Sequence, residues 1–194
     1  HSLERSHILR PVVVTTGQHE HLVAPILEFA GITPDVNLGV GRPGLSINEL
    51  VSDVVSGVDR ILQDGPGAGA EAVLVHGDTS SAMAAAMAAF QRQVPIAHVE
   101  SGLRTHDPMT PFPEEMNRQV IGRLATFHFA PTPSNRENLL LEGIPDHRIA
   151  VTGNTGLDAL RWTASRRVPF ADERLAALDA EERPIVVVTA HRRA

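Results

Sequence analysis

Cysteine is missing from all 194 residues, so disulfides and thiolate metal sites are excluded. No apolar run approaches the roughly 20 residues that a membrane-spanning helix needs. The opening "HSLERSHILRP" lacks the basic-then-apolar order of a secretory signal, and a cytoplasmic setting is the expectation. Basic residues are outnumbered, 17 Lys and Arg against 23 Asp and Glu, which leaves no broad electrostatic footprint for nucleic acid. The 10 histidines are scattered, with no HxxxH or HExxH pair, so no metal site is expected; His19 and His21 in "GQHEHL" read as a surface turn. What remains, 42% hydrophobic and 21% charged, is the balance of a soluble globular chain with one sizeable core.

Short apolar runs recur at the spacing of an alternating α/β protein. "PVVVTTG", "EAVLVHGD", "PIAHVES", "TFHFAPT" and "RIAVTGN" each hold five or six strand-forming residues closed by polar, Gly or Pro residues, and read as buried parallel strands. Between them, "LVAPILEFAG" ends at a C-cap glycine, and "SINELVSDVVSGVDRILQDG" carries Leu50, Val54, Val58, Ile61 and Leu62 on one helical stripe. "TSSAMAAAMAAFQRQ" opens with capping hydroxyls, and "PEEMNRQVIGRLA" starts at Pro113 with acids in its first turn. The alternation predicts a Rossmann-like doubly wound parallel sheet, whose ligands bind beyond the carboxyl ends of the strands. "DGPGAGA" at 64–70 reads as a flexible loop. After residue 155 the pattern becomes a helix, a Pro break, a charged helical stretch and a strand, "IVVVTAHRRA". That strand has no following element to cover it, so the chain is expected to end just inside a second domain. The division expected is 1–165 for the first Rossmann-like domain and 166–194 for a linker and the start of the second.

Two strands deliver carboxylates to the same edge. "VLVHGD" ends in Asp78, just before Thr79, Ser80 and Ser81 at a helix N-terminus that suits an anion or a sugar hydroxyl; Asp78 either faces that ligand or caps the helix. "PIAHVES" ends in Glu100, which either joins Asp78 in acid/base chemistry or pairs with Arg104. Glu114 and Glu115 sit where helix-start acids are common, behind a loop stiffened by Pro108, Pro111 and Pro113. His191 closes the last strand before two arginines, either as part of a phosphate site or as a basic chain end.

Taken in order, "VHGDTSS", "HVESGLRT", "PFPEEMNR", "VTGNTGLDAL" and "VTAHRR" resemble the non-hydrolysing UDP-N-acetylglucosamine 2-epimerases from about residue 11 to the last residue. The GLRT and P-aromatic-PEE segments favour this branch over the hydrolysing one. The resemblance implies a GT-B fold of two Rossmann-like halves, interconversion of UDP-GlcNAc and UDP-ManNAc without a metal or redox cofactor, and a homodimer. Asp78, Glu100 and Glu114 match the family's catalytic acids and His191 its cleft histidine, while Arg104 and Asn154 fall in matching motifs as cleft-lining candidates. Gln18, and Arg42 with it, match residues that contact a second, allosteric UDP-GlcNAc in some bacterial members; His21 stands where those members tend to have glutamine. The family's first strand, with its GTRPE-like turn, and most of its second domain have no counterpart here, so the 194-residue chain alone is expected to be inactive. A GT-B glycosyltransferase and a non-catalytic nucleotide-sugar-binding remnant are the alternatives. The acid set separates the first, because a transferase needs one base and an acceptor site.

Overall fold

A computed structural model describes residues 2–166, 169–179, 181 and 184–188. Two compact units emerge, residues 1–154 and 155–194. In the first, strands and helices alternate: β1 (Val14–Thr15), α1 (Glu20–Ala30), β2 (Val36–Asn37), α2 (Ile47–Gln63), β3 (Val73–His76), α3 (Ser80–Gln91), β4 (Ile96–Val99), α4 (Glu114–Leu124), β5 (Phe127–Ala130), α5 (Pro133–Leu141) and β6 (Ile149–Val151). The second holds α6 (Thr155–Ala164) and α7 (Glu173–Asp179), as the helix and Pro-break pattern predicts.

All pairings are parallel, and the strands form two sheets, β1-β2 and β3-β4-β5-β6. Sequential order with a helix between each pair is the α/β arrangement that the alternation implies. The strands are less buried than their apolar character suggests. β4 is covered along most of its length, but β3 buries Val75 and leaves Leu74 56% exposed, so one of its faces is open among the described residues.

Helix boundaries follow local chemistry. Ser46 opens α2 in a reciprocal capping box, its hydroxyl accepting from the Glu49 N–H while the Glu49 carboxylate accepts from the Ser46 N–H. Gly31 closes α1 in the left-handed region, as a C-cap should. Leu50, Val54 and Val58 on α2 then pack against Ala84 and Ala88 of α3. The alanines let the two helices approach closely, and a second cluster of Val75, Met83, Ala86, Ala89, Ile96 and Ile121 seats α3 and α4 on the sheet. These contacts fix the two helix N-termini that border the strand ends.

Two expectations change. The 64–70 segment is not loose: its turns wind back on α2, and a Cβ on Gly65 would stand 2.8 Å from the Ile61 Cα. Residues 185–188 form no strand, and Val186, Val187 and Val188 are each 84% exposed. Strand propensity needs an edge to pair with, and the described residues of the second unit hold no strand.

Candidate active site

β3 and β4 run in register, His76 beside Val99, so the residues after them emerge together at the carboxyl edge. Gly77 lies at φ 70° and a Cβ there would come within 3.5 Å of Glu100 Oε2, which places the Glu100 carboxylate against the turn that carries Asp78. His76 Nε2 is 3.9 Å from the same oxygen. Glu100 itself has φ 65°, a left-handed conformation that an ordinary side chain adopts at a cost of about 1–2 kcal/mol. Strained non-glycine backbone of this kind clusters at functional sites, and here it aims a carboxylate at the neighbouring strand end.

Asp78 does not cap α3. Thr79 does, its hydroxyl accepting from the Ala82 N–H at 3.1 Å. The Asp78 carboxylate instead receives two bonds from Arg118 of α4, Nε at 2.9 Å and Nη2 at 2.6 Å. Asn117, one residue earlier, donates to the Asp78 carbonyl at 2.8 Å and to Ser80 Oγ at 3.3 Å. Glu114 opens α4 half-buried, three and four residues before Asn117 and Arg118 and therefore on the helix face that holds Asp78. Asp78 and Glu100 thus share one strand edge, with Glu114 at the start of the helix that holds Asp78.

Glu115 is no ordinary helix-start acid, as its side chain is fully buried. Its carboxylate accepts from the backbone N–H groups of Thr105 (3.1 Å) and His106 (3.2 Å), from Gln119 Nε2 (3.1 Å) and from Arg118 Nη1 (3.2 Å). Burial alone would raise its pKa, but these donors prevail and hold the group below the ordinary carboxylate range. It thereby ties the loop after β4 to α4.

Arg104 does not reach the site. Its side chain is 1% exposed and clamps Glu142 through Nε (2.5 Å) and Nη2 (2.9 Å), so Glu100 does not pair with it and the arginine presents no charge to a cleft. The loop is pinned further at Gly102, whose carbonyl accepts from Asn138 at 2.9 Å. Gly102 sits at φ 91°, and a Cβ there would lie 2.3 Å from the Asn135 carbonyl oxygen. Gly102→Ala should therefore lower stability by about 3 kcal/mol, read as a lower urea midpoint at unchanged slope.

Beneath the edge lie two buried imidazoles. His98 and His128 are register partners on β4 and β5. His98 Nε2 donates to the Gly77 carbonyl at 2.8 Å, and His128 Nδ1 bonds Ser101 Oγ at 3.0 Å. Burial pulls both down to about 4. They support the Gly77–Asp78 turn and the start of the Glu100 loop from below.

Gln18 and Arg42 lie on touching turns, since a Cβ on Gly41 would stand 3.3 Å from the Gln18 carbonyl oxygen. Gln18 Oε1 accepts from Ser81 at the N-terminus of α3 (2.7 Å), whereas Arg42 pairs with Asp53 (2.6 Å) beside a shallow groove of about 380 Å³. Asn154 is exposed after β6, and His191 lies outside the described residues. Sequence reasoning overlooked Arg118 and the buried role of Glu115; the acid-to-arginine spacing of three in "EEMNR" was the available signal.

A parallel Rossmann-like sheet with acids at its carboxyl edge and helix N-termini beside them defines an α/β domain of the class that takes its ligand at the strand ends. The family profile described as UDP-N-acetylglucosamine 2-epimerase matches residues 1–194, and the chain belongs to that family. It is 42% identical over 200 residues to a UDP-N-acetylglucosamine 2-epimerase of Salmonella typhimurium, covering 100% of this chain and 52% of that protein. Among solved structures, it resembles the Neisseria meningitidis UDP-GlcNAc 2-epimerase bound to UDP-GlcNAc, with TM-score 0.81 and 36% identity over 84% of this chain and 43% of that one. It also resembles the Methanocaldococcus jannaschii enzyme in complex with UDP-GlcNAc and UDP, with TM-score 0.76 and 29% identity over 91% and 47%. The chain spans about half the length of the relatives it matches.

Proposed function

We propose that these residues form the sugar-facing half of a UDP-N-acetylglucosamine 2-epimerase site. The observation that carries the reading is the placement of Asp78 and Glu100 on adjacent strand ends, with Glu100 held in a strained backbone conformation beside the Asp78 turn. Epimerisation at C2 requires a proton to leave one face and return to the other, so at least two acid/base groups must flank the carbon. A base removes the C2 proton, the freed electron pair forms the C1–C2 double bond, and UDP departs from C1 with its bonding pair. Addition of UDP back to C1, with a proton delivered to the opposite face of C2, completes the change with no net oxidation. Asp78, Glu100 and Glu114 are the groups proposed to move these protons, with His191 as a further cleft residue.

Occupancy by UDP-GlcNAc or UDP in the solved relatives supports the substrate class. Gln18 is proposed to serve a second nucleotide-sugar site, together with Arg42 on the adjoining turn. Asn154 is proposed to line the cleft, and Arg104 to act only in shaping the loop. The division at residue 165 and a cytoplasmic location are proposed from the sequence pattern, and a homodimer from the resemblance. The test is incubation with UDP-GlcNAc in deuterium oxide. A full-length polypeptide containing these residues should yield UDP-ManNAc carrying deuterium at C2, and the 194-residue chain alone should not. Absence of C2 exchange from the full-length protein would remove the reading.

A further inference from the structure

The Asp78 side chain is gripped by a residue whose own position depends on a second, buried one. We propose that Arg118 is a positioning residue for Asp78 and that Glu115 locks Arg118 in place, an inference that rests on the acid/base role proposed above for Asp78. Both Arg118 bonds go to a single oxygen, Oδ2, so one face of the carboxylate is fixed by the guanidinium and the group can turn only by breaking two charge-assisted bonds. Asn117 holds the backbone of the same residue through its carbonyl. Carboxylate and main chain are therefore both referenced to α4 rather than to the strand that delivers them.

Arg118 could not do this unaided, because an arginine has about 2 kcal/mol of rotamer entropy to lose. Glu115, fully buried and accepting four bonds, takes the remaining arm of the guanidinium at 3.2 Å. The same carboxylate anchors Thr105 and His106, the loop that follows Glu100. Glu115 thus joins the two halves of the acid pair, with Asp78 reached through Arg118 and the Glu100 loop reached directly. Neither residue is placed to touch the reacting carbon; each acts through another.

The fork geometry gives the test. Arg118→Lys keeps the charge but loses the two-donor grip, and Glu115→Gln keeps the shape but loses the charge and one pair of acceptor sites. Both are made in a full-length polypeptide containing these residues, with Arg123→Lys on the far part of α4 as comparator. Each site variant should lower C2 deuterium exchange at saturating substrate by about 10- to 100-fold, while UDP affinity by calorimetry stays close to the parent; the melting transition holds in Arg118→Lys and falls in Glu115→Gln, whose amide nitrogen faces two donors. The double variant should be little worse than the worse single one, because both act on the same group. Exchange at the parental rate in both variants would overturn the inference while leaving the epimerase reading intact. So would a loss of folding or of UDP binding that accounts for the whole effect. A parent without exchange sinks the reading and the inference together.

Discussion

Glu100→Gln in a full-length polypeptide should lower C2 exchange by about 10³-fold, and Asp78→Asn by a similar factor, with UDP still bound. The size follows from what the amide cannot do. It fills the same space and forms similar hydrogen bonds, but it neither accepts nor returns a proton at neutral pH. Asp78→Asn also exchanges a salt bridge with Arg118 for a charge–dipole contact, so its loss includes some positioning. A second substitution separates chemistry from architecture. Glu100 occupies a left-handed conformation that glycine adopts freely, so Glu100→Gly should be at least as stable as the parent while losing exchange entirely. A residue whose removal relieves the backbone and abolishes turnover is held there for chemistry. If Glu100→Gly instead unfolds the chain, the side chain is structural and its proposed role fails. Rates by NMR and midpoints by urea on the same samples decide between the two.

Periodicity reports which face of an element is buried, and that much could be read directly. The stripe of Leu50, Val54, Val58 and Ile61 proves to be the buried face of α2, and the hydroxyl before the Ala-rich run proves to be the cap of α3. The register of Asp78 and Glu100 at one edge follows from strand lengths alone. Partner choice does not. Arg104 meets Glu142 across 38 residues, and Arg118 meets Asp78 across 40, and local pattern carries no record of such distances. An arginine beside an acid in a loop looked like a pair with Glu100, yet the turn at Gly102 sends it beneath α4 to a different acid. Glu115 was hidden for a related reason. Acids in a first helical turn are common because the dipole favours them, and only the fold shows this one buried under a loop that bonds it. The run at 185–188 fails in the opposite direction, with strand composition and no other strand among the described residues of the second unit.

The two buried histidines make the fold acid-sensitive. His98 and His128 titrate near 4 in the folded chain, because burial disfavours the imidazolium. His98 has one nitrogen already committed to the Gly77 carbonyl, and its Nδ1 has no hydrogen-bond partner among the described residues to receive a second N–H. In the unfolded chain both titrate near 6.5. Between about pH 6.5 and pH 4 the unfolded state therefore binds more protons, so stability must fall as pH falls through that window. The loss is about 2 kcal/mol for each histidine by pH 5 and about 3 kcal/mol by pH 4, a large share of what a domain of this size possesses. Urea midpoints at pH 7.5, 6 and 5 should decline accordingly, before protonation of Glu115, which is held below the ordinary carboxylate range, contributes at lower pH. His98→Gln and His128→Asn should each flatten the decline by about half, even where they lower stability at pH 7.5 by removing a buried hydrogen bond. A pH dependence unaltered in the double variant would mean that these rings are not the source.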